Sequence, residues 1–91
     1  MGKFNRIIVR GTVQGVCFRA KTQSMARSHN MRGQVKNLAD GSVEILLEGS
    51  RDEAEKLIEA LKQAGDTYEI LSYTIEEIEK ESSFQDFQIA Y

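Results

Sequence analysis

The apolar residues of this chain change period in a fixed order, and that order leaves few folds open. In "KFNRIIVRG", residues 3–11, Ile7 and Val9 alternate with Arg6 and Arg10, the period of a strand with one face in a core. Phe18, Thr22, Met25, Ala26 and His29 then recur at helical spacing, and Asn30 follows where a left-handed, helix-ending residue is tolerated. "RGQVKNLADGSVEILLEG" returns to the strand period. It reads as two strands about an Asp40-Gly41 turn, with Val43, Ile45 and Leu47 set against Glu44 and Glu48. Ser50 and Glu53 form a capping-box pair ahead of Ala54, Leu57, Ile58 and Leu61, and Gly65 stops that helix. A strand with Leu71, Tyr73 and Ile75 on one face follows, then a short one with Phe87, Ile89 and Tyr91.

The order is βαββαβ with a terminal strand added. Two helices must then cover one face of a mostly antiparallel sheet, which is the α+β, ferredoxin-like split βαβ arrangement. Ninety-one residues suit one small domain, and neither proline nor repeats nor low-complexity segments argue for a second.

Charge is distributed unevenly along the chain. Up to Ala39 there are eight Lys and Arg and no Asp or Glu, whereas all fourteen acids lie from Asp40 onward with four bases. The N-terminal half is thus a candidate anion binder; the alternative is that the halves neutralise each other across the folded surface. No apolar run reaches the ~18 residues of a membrane span, and "MGKFNRIIVRG" lacks a signal peptide's apolar stretch. Arg6 occupies the position where a myristoylation motif needs Ser or Thr. A lone Cys17 has no disulfide or zinc-pattern partner. The expectation is a cytoplasmic protein without a metal site.

"GTVQGVCFRAKT", residues 11–22, joins the first strand to the first helix. At a helix start the backbone N–H groups lack intrahelical acceptors and the dipole favours negative charge. Gly11 and Gly15 admit backbone turns that a side chain would block, so the amides of Gln14 to Phe18 could curl around a tetrahedral anion. Arg19 would add a forked guanidinium suited to two phosphate oxygens. From these residues alone, a plain turn with a solvated arginine is the commoner outcome.

Residues 11–19, "GTVQGVCFR", resemble the acylphosphatase signature GxVQGVxFR. Residues 33–49, "GQVKNLADGSVEILLEG", are similar to that family's second signature, a G-aromatic-V-x-N-x-x-x-G-x-V followed by Gly after five residues. The likeness runs from the first strand to the terminal aromatic residue, and it implies one acylphosphatase-like domain over residues 1–91. It also implies a hydrolase that cleaves the carboxyl–phosphate bond of acyl phosphates and uses no cofactor. In that reading Val13, Gln14, Gly15, Val16, Cys17 and Phe18 cradle the substrate phosphate, Arg19 holds it, and Asn37 positions the attacking water. Inorganic phosphate is then product and competitive inhibitor, and a monomer without nucleic-acid or membrane partners is expected. Gln34 departs from the pattern where an aromatic residue is usual, which bears on local packing and not on Arg19 or Asn37.

The chemistry asks little of the protein. An acyl phosphate carries a good leaving group, so positioned water and charge stabilisation suffice, and the substrate phosphate itself can take the proton. That suits a sequence with no Asp or Glu in the first motif. Other readings compete. Cys17 could be a thiolate nucleophile or a small loop residue. His29 could be a general acid, although its place among Met25 and Ala26 points to a partly buried structural histidine. A nucleic-acid binder would place aromatics on the central strands, and "SVEILLE" has none. A phosphate-sensing module without turnover, or a piece of a larger enzyme, would share the loop; the pairing of Arg19 with Asn37 speaks for catalysis. Finally, the α-carboxylate of Tyr91 is a candidate partner for orienting Arg19, against the plain alternative of a solvated terminus.

Overall fold

The computed structural model describes residues 2–65, 67–80 and 83–90. The elements run β1 (Gly2–Thr12), α1 (Phe18–Ser28), β2 (Arg32–Asn37), β3 (Val43–Glu48), α2 (Arg51–Ala64), β4 (Glu69–Lys80) and β5 (Phe87–Ala90). They match the expected order. The strands form one sheet in the order β4-β1-β3-β2-β5, antiparallel throughout except where β5 pairs with β2 in parallel. This is the ferredoxin-like sheet with β5 added at one edge.

Strand alternation decides what lies between sheet and helices. Ile7, Val9, Val35, Val43, Ile45, Leu47 and Phe87 from the strands meet Phe18 and Ala26 of α1 and Ala54, Leu57, Ile58 and Leu61 of α2, all buried. Each such large side chain contributes about 2 kcal/mol by leaving water. Helix α1 packs over β2 and β5, and α2 over β4 and β1. The Ser50–Glu53 capping box is present at the start of α2, with both reciprocal bonds made.

The helix-free face is only partly polar. Phe4, Ile8 and Leu46 are buried there; the Phe84 ring packs edge-on against Phe4 and the Lys80 ammonium lies over the Phe4 ring. Gln34 lies on this face opposite Leu46, away from the site described below.

Two expectations need correction. Leu71 does not share a face with Tyr73 and Ile75 but is 71% exposed, because the β1–β4 register shifts after Arg10. Arg10 pairs with Ser72 and Gly11 with Ile70, so Leu71 is the extra residue of a β-bulge and Ile70 turns inward in its place. His29 is exposed, caps the C-terminal end of α1 and has its ring nitrogen 3.3 Å from the Met25 carbonyl. Helical spacing carried it one position past the buried stripe. No helix among the described residues is long and apolar enough to cross a membrane.

Candidate active site

Between β1 and α1 the backbone reverses handedness residue by residue. Gly15 (φ 75°) and Cys17 (φ 63°, ψ 22°) are left-handed, whereas Gln14 and Val16 are not. Such alternation is the backbone pattern by which successive N–H groups can turn toward one side and surround an anion. The loop runs into the start of α1, where no side chain caps the helix and no acid occupies the first turn. The N–H groups of that turn therefore lack an intrahelical acceptor.

Long-range contacts fix the loop. The Gln14 side-chain amide donates to the carbonyls of Leu38 (2.8 Å) and Ser42 (2.9 Å), tying the loop to the β2–β3 turn. Within that turn, the Ser42 hydroxyl and N–H both donate to Asp40 and hold its carboxyl below the usual range. The Thr67 hydroxyl donates to the Val16 carbonyl at 3.2 Å. Phe18, 1% exposed, packs edge-on against Tyr68 with ring centroids 4.8 Å apart, and the Tyr68 hydroxyl donates to the Leu61 carbonyl.

Arg19 rises from the first turn of α1, half-buried, and its Nη1 donates to the Ala90 carbonyl of β5 at 3.2 Å. Ala90 lies opposite Lys36 in the parallel pairing, so the carbonyl that fixes Arg19 sits one residue from Asn37 on the neighbouring strand. Asn37 ends β2. Its Oδ1 is buried and accepts no hydrogen bond among the described residues. A buried acceptor left this way is costly unless something else donates to it.

These groups share one cavity of about 320 Å³, lined by Val13, Gly15, Cys17, Phe18, Arg19, Ala20, Asn37 and Ile89. Of the residues expected from sequence, Val13, Gly15, Cys17, Phe18, Arg19 and Asn37 therefore come together. Gln14 and Val16 belong to the same loop, but the Gln14 side chain is spent on the β2–β3 turn and Val16 packs against the core. Tyr91 lies outside the described residues, and so does the proposed carboxylate contact. Sequence reasoning missed Thr67, Tyr68 and Ala90, which support the loop and Arg19 from distant segments. Among the described residues no group of three or more His, Cys, Asp or Glu could hold a metal ion.

Cys17 is exposed and adopts a conformation that costs a residue with a Cβ roughly 1 kcal/mol. Cys17→Gly should remove that strain, and the greater freedom of glycine in the unfolded chain should offset part of the gain. The expected net stabilisation is about 0.5 kcal/mol by denaturant unfolding, with hydrolytic activity retained in Cys17→Gly and Cys17→Ser alike. A folded but inactive Cys17→Ser would restore the thiolate nucleophile.

Known proteins share this fold. Residues 5–89 match the family model described as acylphosphatase. An acylphosphatase of Treponema denticola is 42% identical over 83 residues, covering 91% of this chain and 87% of that protein. One from Bacillus licheniformis is 37% identical, covering 94% and 96%. The crystal structure of acylphosphatase from Bacillus subtilis superposes with a TM-score of 0.85 at 36% identity, over 98% of this chain and 99% of that one. A buried amide oxygen at the end of β2, an arginine in the first turn of α1 and a Gly-punctuated loop thus stand within a fold shared with these proteins over nearly its whole length, and the chain belongs to the acylphosphatase family.

Proposed function

We propose that the protein hydrolyses acyl phosphates to a carboxylate and inorganic phosphate, with the phosphoryl group held by the loop amides and Arg19 and with Asn37 placing the attacking water. The observation that carries this reading is the Asn37 Oδ1, buried and without a donor among the described residues, on the same cavity as Arg19. An amide oxygen accepts a hydrogen bond from water and so directs its lone pair, without ionising. The α1 N-terminus and the guanidinium stabilise charge on the phosphoryl oxygens, and the carboxylate leaves in line with the water. The water's proton passes to a phosphoryl oxygen of the substrate, so no side-chain base is required.

In this reading inorganic phosphate occupies the same cradle and inhibits competitively, and residues 1–91 act as one monomeric cytoplasmic domain. Release of inorganic phosphate from benzoyl phosphate tests it directly. Turnover should persist after exhaustive chelation. Loss of activity that only a divalent ion restores would overturn the proposed mechanism, and phosphate binding without any release would leave a sensing module.

A further inference from the structure

Three side chains on one stripe of α1, each one helical turn from the next, bond to the same short strand segment. Arg19 Nη1 donates to the Ala90 carbonyl (3.2 Å) and Gln23 Nε2 to the Phe87 carbonyl (3.0 Å). Arg27 grips Asp86, just ahead of β5, through both carboxylate oxygens (3.2 and 2.6 Å). Strand β5 has only four residues, sits at the sheet edge and pairs with β2 alone. The ladder with β2 and the buried Phe87 ring set the register of β5, and this clasp sets how closely it is held against α1. The three bonds are unequal. Both partners of the Arg27–Asp86 pair are about half exposed, where ion pairs contribute little. Gln23 is half-buried, and its bond lies between that surface pair and the active-site arginine.

We infer that Gln23 is a positioning residue for phosphate binding: it sets the β5 carbonyl against which Arg19 is aimed. The inference rests on the proposed role of Arg19. If β5 draws away from α1, the Ala90 carbonyl moves, the guanidinium follows it, and the fork no longer faces the loop amides. Gln23 itself does not line the cavity.

The test is a double-mutant cycle read through phosphate binding, taken from the rise in Tm with added inorganic phosphate. The four proteins are the parent, Gln23→Met, Arg19→Ala and the double variant. Loss of the Gln23 bond should weaken phosphate binding about fivefold where Arg19 is present, the net worth of one neutral hydrogen bond. It should have no further effect where Arg19 is already alanine. Gln23→Lys, whose ammonium can donate to the same carbonyl, should recover most of the loss. Unchanged phosphate binding in Gln23→Met, or equal weakening in both backgrounds, overturns the inference and leaves Gln23 a structural residue. Should Gln23→Met fail to fold, Gln23→Glu, of the same shape without the N–H donor, takes its place in the cycle. If Arg19→Ala binds phosphate like the parent, the role proposed for that arginine falls first and this inference falls with it.

Discussion

Arg19→Ala should bind inorganic phosphate roughly 10- to 100-fold more weakly than the parent, because it removes charge-assisted hydrogen bonding with a net worth of about 1.5–3 kcal/mol. Its kcat/KM for benzoyl phosphate should fall about 1000-fold, since the same guanidinium faces the phosphoryl oxygens as their charge redistributes. Asn37→Ala should look different. In the proposed mechanism the lost amide holds water and not phosphate, so the inhibition constant for phosphate should stay within about twofold while kcat falls about 1000-fold. Arg19→Lys should recover little, because one ammonium cannot both hold the Ala90 carbonyl and fork two phosphate oxygens. Steady-state kinetics with phosphate as inhibitor read all three. Equal loss of phosphate binding in Arg19→Ala and Asn37→Ala would overturn the division of labour.

Gly11→Ala should destabilise the fold by about 3 kcal/mol, among the larger effects of a single methyl group. The φ of Gly11 is 141°, which side chains rarely adopt, and a Cβ there would overlap the Glu69 carbonyl oxygen and press on the Leu71 N–H at 2.8 Å. Both obstacles are backbone atoms, which cannot swing aside as a flexible side chain does. The expected fall in Tm is roughly 15 °C for a domain of this size. A Tm within about 3 °C of the parent would mean that the bulge opens at little cost. Because the bulge feeds directly into the phosphate loop, the folded fraction should also bind phosphate less well.

What the sequence made legible is what local periodicity and capping encode. Val43, Ile45 and Leu47 all face the core, Ser50 and Glu53 cap α2, and Asn30 takes the left-handed conformation expected of it (φ 57°). Arg19 and Asn37 were legible through two motifs, and the cavity brings them together. The misreadings came from events between segments. Leu71 was assigned by an unbroken period of two, whereas the bulge arises from how β4 meets Gly11, nearly sixty positions earlier. His29 continued a helical spacing that the chain leaves at Ser28. Gln14 was legible as part of the loop, but nothing local marked its side-chain amide for carbonyls 24 and 28 residues away. Tyr68 carried no local signal for packing against Phe18, since that contact exists only once α2 has crossed the sheet.

The order of strands in the sheet also bears on how the protein acquires its activity. β1 lies between β3 and β4, β2 between β3 and β5, and the bond that fixes the arginine spans 71 residues. Chains whose neighbours in space are distant in sequence close large loops before any contact rewards them, and they fold slowly. Both motif segments lie within the first 49 residues, but the carbonyl that holds Arg19 belongs to residue 90. A chain emerging from the ribosome, or caught midway in refolding, would have its loop and Asn37 encoded and even collapsed while its arginine still lacked the Ala90 carbonyl. Hydrolysis would then return with the last strand to dock, later than the recovery of helix.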